Sequence, residues 1–203
     1  MPADRLFKVL DEHGRSCHGG FLQWSMPKDD QPGEWMPNIV GPLVPCQRGY
    51  HVVTLAQLPQ WLGPALYEVE VRSERIDQDD KIVVSQARIV ARVTTWTERT
   101  ARLFAADCAE HALKAEQGVG REPDARSWAA VQAARDYAEG RLSDKARIAA
   151  RSAAWSAACA AESAARIAAR SAARNAAWSA AENGERAWQT DRLFTAYLLT
   201  GAP

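Results

Sequence analysis

Two Cys-His groupings stand out along the first fifty residues. Cys17-His18 and the pair Cys46 with His51 form a Cys-His … Cys-x4-His set, which has the ligand types of a tetrahedral zinc site. The spacing lacks the Cys-x2-Cys knuckle of a zinc finger, so ordinary buried cysteine and hydrogen-bonded histidine are the plainer reading. The same residues permit a second chemistry, in which Cys17 or Cys46 is a nucleophile and His51 its base, provided the fold brings them into contact. Cys108 and His111 lie three apart on one face of an expected helix, and their apolar neighbours favour a core role. Asp77, Asp79 and Asp80 offer carboxylates to a metal, although such a cluster is more often a solvated turn. Gly-x-Gly-x-x-Gly, the Gly-Lys-Ser/Thr phosphate loop, His-Glu-x-x-His and Gly-x-Ser-x-Gly are all absent.

The elements that must position these residues divide near Trp96. Residues 1–96 hold eight of the ten prolines and short β-branched runs, and read as strands and turns; from Thr97 onward alanine dominates and the chain reads as helices. In the first part, Leu6 to Leu10 forms a strand and Asp11 to Gly14 a turn. A loop rich in Pro and Gly follows from Ser16 to Pro45, long enough to suggest a function of its own. Gly49 to Thr54 is a second strand, with Thr54 capping a short helix Leu55 to Leu62 that Gly63-Pro64 ends. Alternation puts Ala65, Tyr67, Val69 and Val71 on a buried face and Glu68, Glu70 and Arg72 on a wet one. After the acidic turn Asp77 to Asp80, two further strands are expected: Lys81 to Val84, and Ala87 to Thr95 with Ile89, Ala91 and Val93 inward.

In the second part, helices are expected from about Thr97 to Gln117 and from Asp124 to Glu139. From Ala149 to Ala181 alanine pairs recur every four residues, with one step of three between 157 and 160. Alanine is the best helix former and no Gly or Pro falls between Arg141 and Asn183, so this segment reads as one helix about 60 Å long or as a helix broken near Ala160. A period of four advances about 40° per repeat, so Trp155 and Trp178 do not share a face. Glu185 to Leu199 is a last helix carrying Trp188, Leu193, Phe194, Tyr197 and Leu198. The expected fold class is therefore α+β: a small mixed-sheet domain, residues 1–96, followed by an alanine-rich helical bundle, residues 97–203.

The 203 residues carry 25 basic and 25 acidic side chains, and the zero net charge argues against a strongly electrostatic nucleic-acid binder or a polybasic membrane protein. No apolar run approaches the roughly 18 residues of a membrane span, and an acid stands at Asp4 where a secretory signal needs basic and apolar residues. The cytoplasm is the expected compartment, that of a host bacterium if the protein is phage-encoded. Four scattered cysteines suit reduced thiols. Locally the balance is uneven: seven basic residues against Asp144 and Glu162 lie between Arg141 and Arg174. Arg147, Arg151, Trp155, Arg166, Arg170, Arg174 and Trp178 are thus the candidate partner-binding residues, for a protein partner or a second copy of the chain, with nucleic acid a lesser option.

Three resemblances bear on function. The run Arg15-Ser16-Cys17-His18-Gly19-Gly20, then Pro32-Gly33-Glu34-Trp35-Met36-Pro37, Cys46 with Gly49-Tyr50-His51, Trp61-Leu62-Gly63, Tyr67 to Glu70 and Asp80-Lys81 resembles a domain of unknown function common in bacteriophage and prophage proteins. Arg102 to His111, Ala130 to Gly140 and the alanine repeats are similar to helical immunity proteins of bacterial toxin systems. The order strand, Trp61 helix, strand, acidic turn and strand ending in Trp96 is similar to small antibiotic-modifying ADP-ribosyltransferases. That last resemblance implies an NAD grip in which Tyr50 takes the Tyr role, His13 or His51 the His role, and Asp79 or Asp80 the acid role. Lys8 and Val9 stand where that family has His-Gly-Thr, a departure that points to a ligand-binding or protein-binding derivative. The expected function is that of a phage or prophage accessory protein that binds and blocks a host or defence protein without chemistry or cofactor. The alternatives are an ADP-ribosyltransferase-like or nucleotide-binding protein using NAD or a related nucleotide, and a structural protein that self-assembles through the alanine helix.

Overall fold

A computed structural model describes residues 5–20, 22–143, 145, 146, 148 and 184–199. Two compact units divide the chain: Met1–Thr97 together with Arg186–Gly201, and Glu98–Glu185. The first is built on four strands: β1 (Leu6–Leu10), β2 (Tyr50–Thr54), β3 (Ala65–Asp77) and β4 (Ile82–Arg92). All pairings are antiparallel and the sheet closes on itself in the order β1-β2-β4-β3.

This overturns the expected mixed sheet followed by an alanine-rich helical bundle. The fold is a closed antiparallel barrel with helices, and residues 186–198 of the last helix group with the barrel. Two irregularities produce the closure. Between Arg72 and Arg75 on β3, two residues oppose Ser85 alone, and Ser73 takes the left-handed backbone (φ 70°) there. The Ser85 hydroxyl accepts from the Glu74 amide at 3.1 Å, holding the bulge. A second shift lets Val90 stand unopposed on β4 between Ile89 and Ala91. Bulges bend a strand and increase its twist, which a four-stranded sheet needs in order to meet its own edge. They also reset the alternation: Ile89 and Val93 are buried as expected, whereas Ala91 is exposed opposite Glu68. For the same reason Lys81 to Thr95 contains one strand and not two.

Inside the barrel lie Leu6, Leu10, Tyr50, Val52, Tyr67, Val69, Ile82, Val84, Ala87 and Ile89. Phe7, Val53, Leu66 and Val83, on the alternate positions, are buried as well, together with Trp96 and with Leu193 and Tyr197 of the last helix. The expected helix over residues 55–62 is a turn plus one 3-10 segment, Leu58–Gln60. Pro59 within it supplies no amide, and Gln57 instead ties the turn in place: its amide donates to the Thr54 hydroxyl and its side chain donates to the Gln78 carbonyl at 2.8 Å.

The long Pro/Gly loop is a strap along β4. The amides of Gly33, Met36 and Ile39 donate to the carbonyls of Ile89, Ala87 and Ser85 at 2.8, 2.9 and 2.9 Å, every third residue of the strap meeting every second residue of the strand. The strap thereby covers a stretch of edge that β2, which pairs with β4 only at Ile82 to Val84, leaves open. Trp35 lies on it beneath the guanidinium groups of Arg72 and Arg88, at 4.0 and 4.8 Å.

In the second unit α1 (Glu98–Gly118) packs on α2 (Ala125–Ala138), which Asp124 caps by accepting from the Arg126 amide at 2.8 Å. Arg135 of α2 reaches α1 and bonds Asp107 at 2.6 Å and Glu110 at 2.5 Å. Asp107 is 5% exposed, so removal of its cation leaves a buried carboxylate without that partner. Arg135→Met is expected to lower stability by about 2 kcal/mol, read as a fall in the urea midpoint with an unchanged slope, and Asp107→Asn in the same background should recover part of the loss. The alanine repeat lies outside the described residues. No described helix is long and apolar enough to cross a membrane.

Candidate functional site

β1 and β2 pair only at Leu6 with Thr54 and Phe7 with Val53, and beyond that point they part. Lys8 spans the gap: its ammonium donates to the His51 carbonyl at 2.8 Å, where a continuous ladder would have placed a backbone bond. The split opens into a cavity of about 380 Å³ whose walls come from both strands, from Ser16, His18, Gly19, Gly20, Leu22 and Trp24 of the loop, from the turn Cys46 to Gly49, and from Trp61 and Lys81.

Each wall has a local cause. Residues 11–16 form a tight turn in which the Asp11 carboxylate accepts from the amides of His13 and Arg15, both at 2.8 Å, and this returns the chain alongside β1. Trp24, 2% exposed, is held by its indole N–H on the Ser16 hydroxyl at 3.2 Å and meets Tyr50 edge-on at 5.5 Å. Opposite it, Trp61 donates to the Asp80 carbonyl at 2.6 Å and lies edge-on to His18 at 5.5 Å. Gly49 is required where the turn enters β2: its φ is +139°, and a Cβ there would overlap Val83.

Two ammonium groups face this space. Lys8 lies 5.3 Å from the Trp24 ring centre and Lys81 5.4 Å from that of Trp61. Lys81 is paired with the Asp80 carboxylate at 2.8 Å, which raises its pKa and keeps it charged. For Lys8 no carboxylate lies within ion-pairing distance among the described residues, and burial pushes its pKa down to about 8, with Cys17 acting weakly the other way. His51 is held below the ordinary histidine value by burial and by the charges of Lys8 and Lys81. Its Nε2 accepts from the Cys46 amide at 3.2 Å, which fixes the neutral ring with its proton on Nδ1. His18 donates Nε2–H to the Trp61 carbonyl at 2.8 Å.

The residues singled out in the sequence fall as follows. His18, Cys46, Tyr50 and His51 all line the cavity. Cys17 is exposed and does not line the cavity; its sulfur and the His18 Nε2 both lie close to where a Cβ on Gly63 would stand. No three of these side chains converge as metal ligands among the described residues. Cys46 adds weakly to the rise of the Lys81 pKa that Asp80 causes, so a cation stands near that residue as well as the His51 ring, whose Nε2 accepts from the Cys46 amide. Tyr50 spends its hydroxyl on the Pro37 carbonyl at 2.7 Å. His13 sits exposed in the Asp11 turn, and Asp79 lines a separate cavity with Gln57, Thr190 and Phe194. Asp80 contributes its carboxylate to Lys81 and its carbonyl to Trp61. On α1, Cys108 is half-buried with its pKa pushed up to about 11 by burial, while His111 bonds Glu185 at 2.7 Å. The partner-binding candidates Arg147, Arg151, Trp155, Arg166, Arg170, Arg174 and Trp178 lie outside the described residues.

Sequence reasoning missed Lys8, Trp24 and Lys81. A signal for Lys8 was present: a lysine at the centre of Leu-Phe-Lys-Val-Leu shares its face with Leu6 and Leu10, an expensive place for an ammonium unless it serves a cavity. Comparison of the chain with protein-family models, with curated proteins and with solved structures gave no match in any of the three.

Proposed function

We propose that the split barrel binds a small anionic ligand carrying a flat unsaturated ring, of the nucleotide class. The observation that carries this reading is the joint placement of Lys8, Lys81, His18 and His51 with Trp24 and Trp61 around one open cavity of about 380 Å³. Ammonium groups in a partly apolar cleft attract phosphate or carboxylate more strongly than they would in water. The two indoles supply apolar walls for a ring. A ligand that meets the Lys8 charge would give a charged partner to an ammonium that, among the described residues, hydrogen-bonds a backbone carbonyl and lies against the Trp24 ring.

The reading belongs with the nucleotide-binding alternative of the sequence analysis and uses none of the alanine segment. It does not depend on ADP-ribosyl transfer: Tyr50 and His51 are at the cavity, while His13 and Asp79 are elsewhere. Titration calorimetry with ADP, NAD, adenosine and inorganic phosphate tests it. Binding is expected for the ligands that have both ring and phosphate, weakened about tenfold by Lys81→Met, which removes one of the two charges. Heats indistinguishable from dilution for all four compounds, with the protein folded, would remove this reading.

A further inference from the structure

We propose that Lys8 is a covalent-capture residue, whose amine forms an imine with an aldehyde that also bears an anionic group; the inference rests on the reading of the cavity as an anion site. The geometry is that of a lysine placed for something other than an ion pair. Lys8 projects from β1 into the split between β1 and β2, its nitrogen held by one neutral backbone acceptor and flanked by the Trp24 ring. A buried ammonium with a carboxylate partner is locked in its charged form, and Lys81 in the same cavity is such a case. Lys8 is not, and its lowered pKa of about 8 leaves about a tenth of the amine neutral at pH 7, against well under a thousandth for a solvent-exposed lysine.

Two imidazoles complete the arrangement with opposite hydrogen-bonding capacity. His51 has Nδ1–H to donate, because Nε2 is occupied by the Cys46 amide; His18, whose Nε2–H is occupied by the Trp61 carbonyl, offers Nδ1 as an acceptor in its neutral form. Imine formation needs both. The Lys8 lone pair attacks the carbonyl carbon, the C–N bond forms as the C=O π bond breaks, the oxygen takes up a proton and the nitrogen gives one up. The resulting carbinolamine loses its hydroxyl with a second proton as water while the nitrogen gives up its other proton, and C=N remains. The balance is one amine plus one aldehyde giving one imine plus one water, with no oxidant or reductant required. Lys81, charged and next to Asp80, receives the anionic end.

The test uses the full chain with pyridoxal 5′-phosphate as the probe, followed by borohydride reduction and peptide mapping. Pyridoxine 5′-phosphate, which has the ring and phosphate but no carbonyl, serves as the non-covalent companion. Lys8 is expected to be labelled at least tenfold faster than the exposed Lys28 and Lys114, with labelling suppressed by excess ADP. In a folded Lys8→Arg variant, which retains a cation but cannot form the imine, the fast label should vanish while pyridoxine 5′-phosphate still binds. Equal labelling of all lysines, or an undiminished fast label in Lys8→Arg, would overturn the proposal. If pyridoxine 5′-phosphate binds and the reduced adduct does not reach Lys8, imine formation falls while the anion-site reading stands; if neither compound binds, both fall.

Discussion

Gly33→Ala is expected to destabilise the barrel unit by about 3 kcal/mol. A Cβ at that position would overlap the carbonyl oxygen of Ser25 and press on the backbone carbons of Ser25 and Met26. No rotamer change relieves this, because each obstructing atom is main chain. The strap would have to move outward, and its first anchor, the Gly33 amide on the Ile89 carbonyl at 2.8 Å, would be stretched or lost. A lost bond of that kind contributes about 1 kcal/mol and the displaced packing the remainder. Gly118→Ala is the matched control: a Cβ there meets nothing within 4 Å, and the change is expected to stay within about 0.5 kcal/mol. Urea unfolding of the two variants side by side decides the matter. Equal midpoints would show that the strap yields freely and contributes nothing to holding β4.

That prediction rests on a feature the sequence states only halfway. Pro32-Gly33 falls in a stretch whose composition marks a loop; the need for glycine at position 33 comes instead from a close approach of two backbones separated by eight residues. The same distinction runs through the molecule. Strand β1, the acidic turn and both described helices of the second unit are local matters of alternation, capping and propensity, and they fall within a residue or two of their expected ends. Barrel closure depends on bulges at Ser73 and Val90, neither of which is a glycine or proline, so no local signal distinguishes them from ordinary strand positions. The last helix shows the converse. Its bulky residues Leu193, Tyr197 and Leu198 could be seen to lack a partner among alanines, yet which surface buries them is a tertiary choice, and they group with the barrel. The cavity follows the same rule. Cys46 and His51 stand out by type and spacing, and Tyr50 through the resemblance to ADP-ribosyltransferases. Lys8 and Lys81 are 73 residues apart and acquire meaning only once β1 and β2 separate.

Lys8→Met is expected to raise stability at pH 7 by about 2 kcal/mol and to weaken binding of ADP by about 100-fold. The two effects have one origin. In the free protein the Lys8 pKa lies near 8 where an unfolded lysine has 10.5, so below pH 8 the unfolded state holds this proton more favourably and the charged side chain opposes folding. A gap of this size corresponds to about 3 kcal/mol, from which the lost bond to the His51 carbonyl subtracts about 1. The sign fixes the pH window. Between pH 8 and 10.5 the unfolded state binds more protons than the folded one, so stability of the wild-type protein should rise with pH in that interval relative to Lys8→Met, and the advantage of the variant should disappear near pH 10.5. Ligand binding runs the other way. A phosphate in the cavity favours charged Lys8 and raises its pKa, so binding takes up a fraction of a proton near pH 8, and affinity should fall about tenfold per pH unit above that value until the pKa of the complex is reached. Calorimetry of ADP binding in two buffers of different ionisation enthalpy measures the proton uptake directly. His51, whose pKa is lowered by burial and by Lys8 and Lys81, would add uptake at lower pH; its contribution is separated by repeating the titration with His51→Gln. If Lys8→Met neither stabilises the protein nor changes the pH profile, the ammonium is solvated in the free state. The cavity would then lack the uncompensated charge on which its reading as an anion site depends.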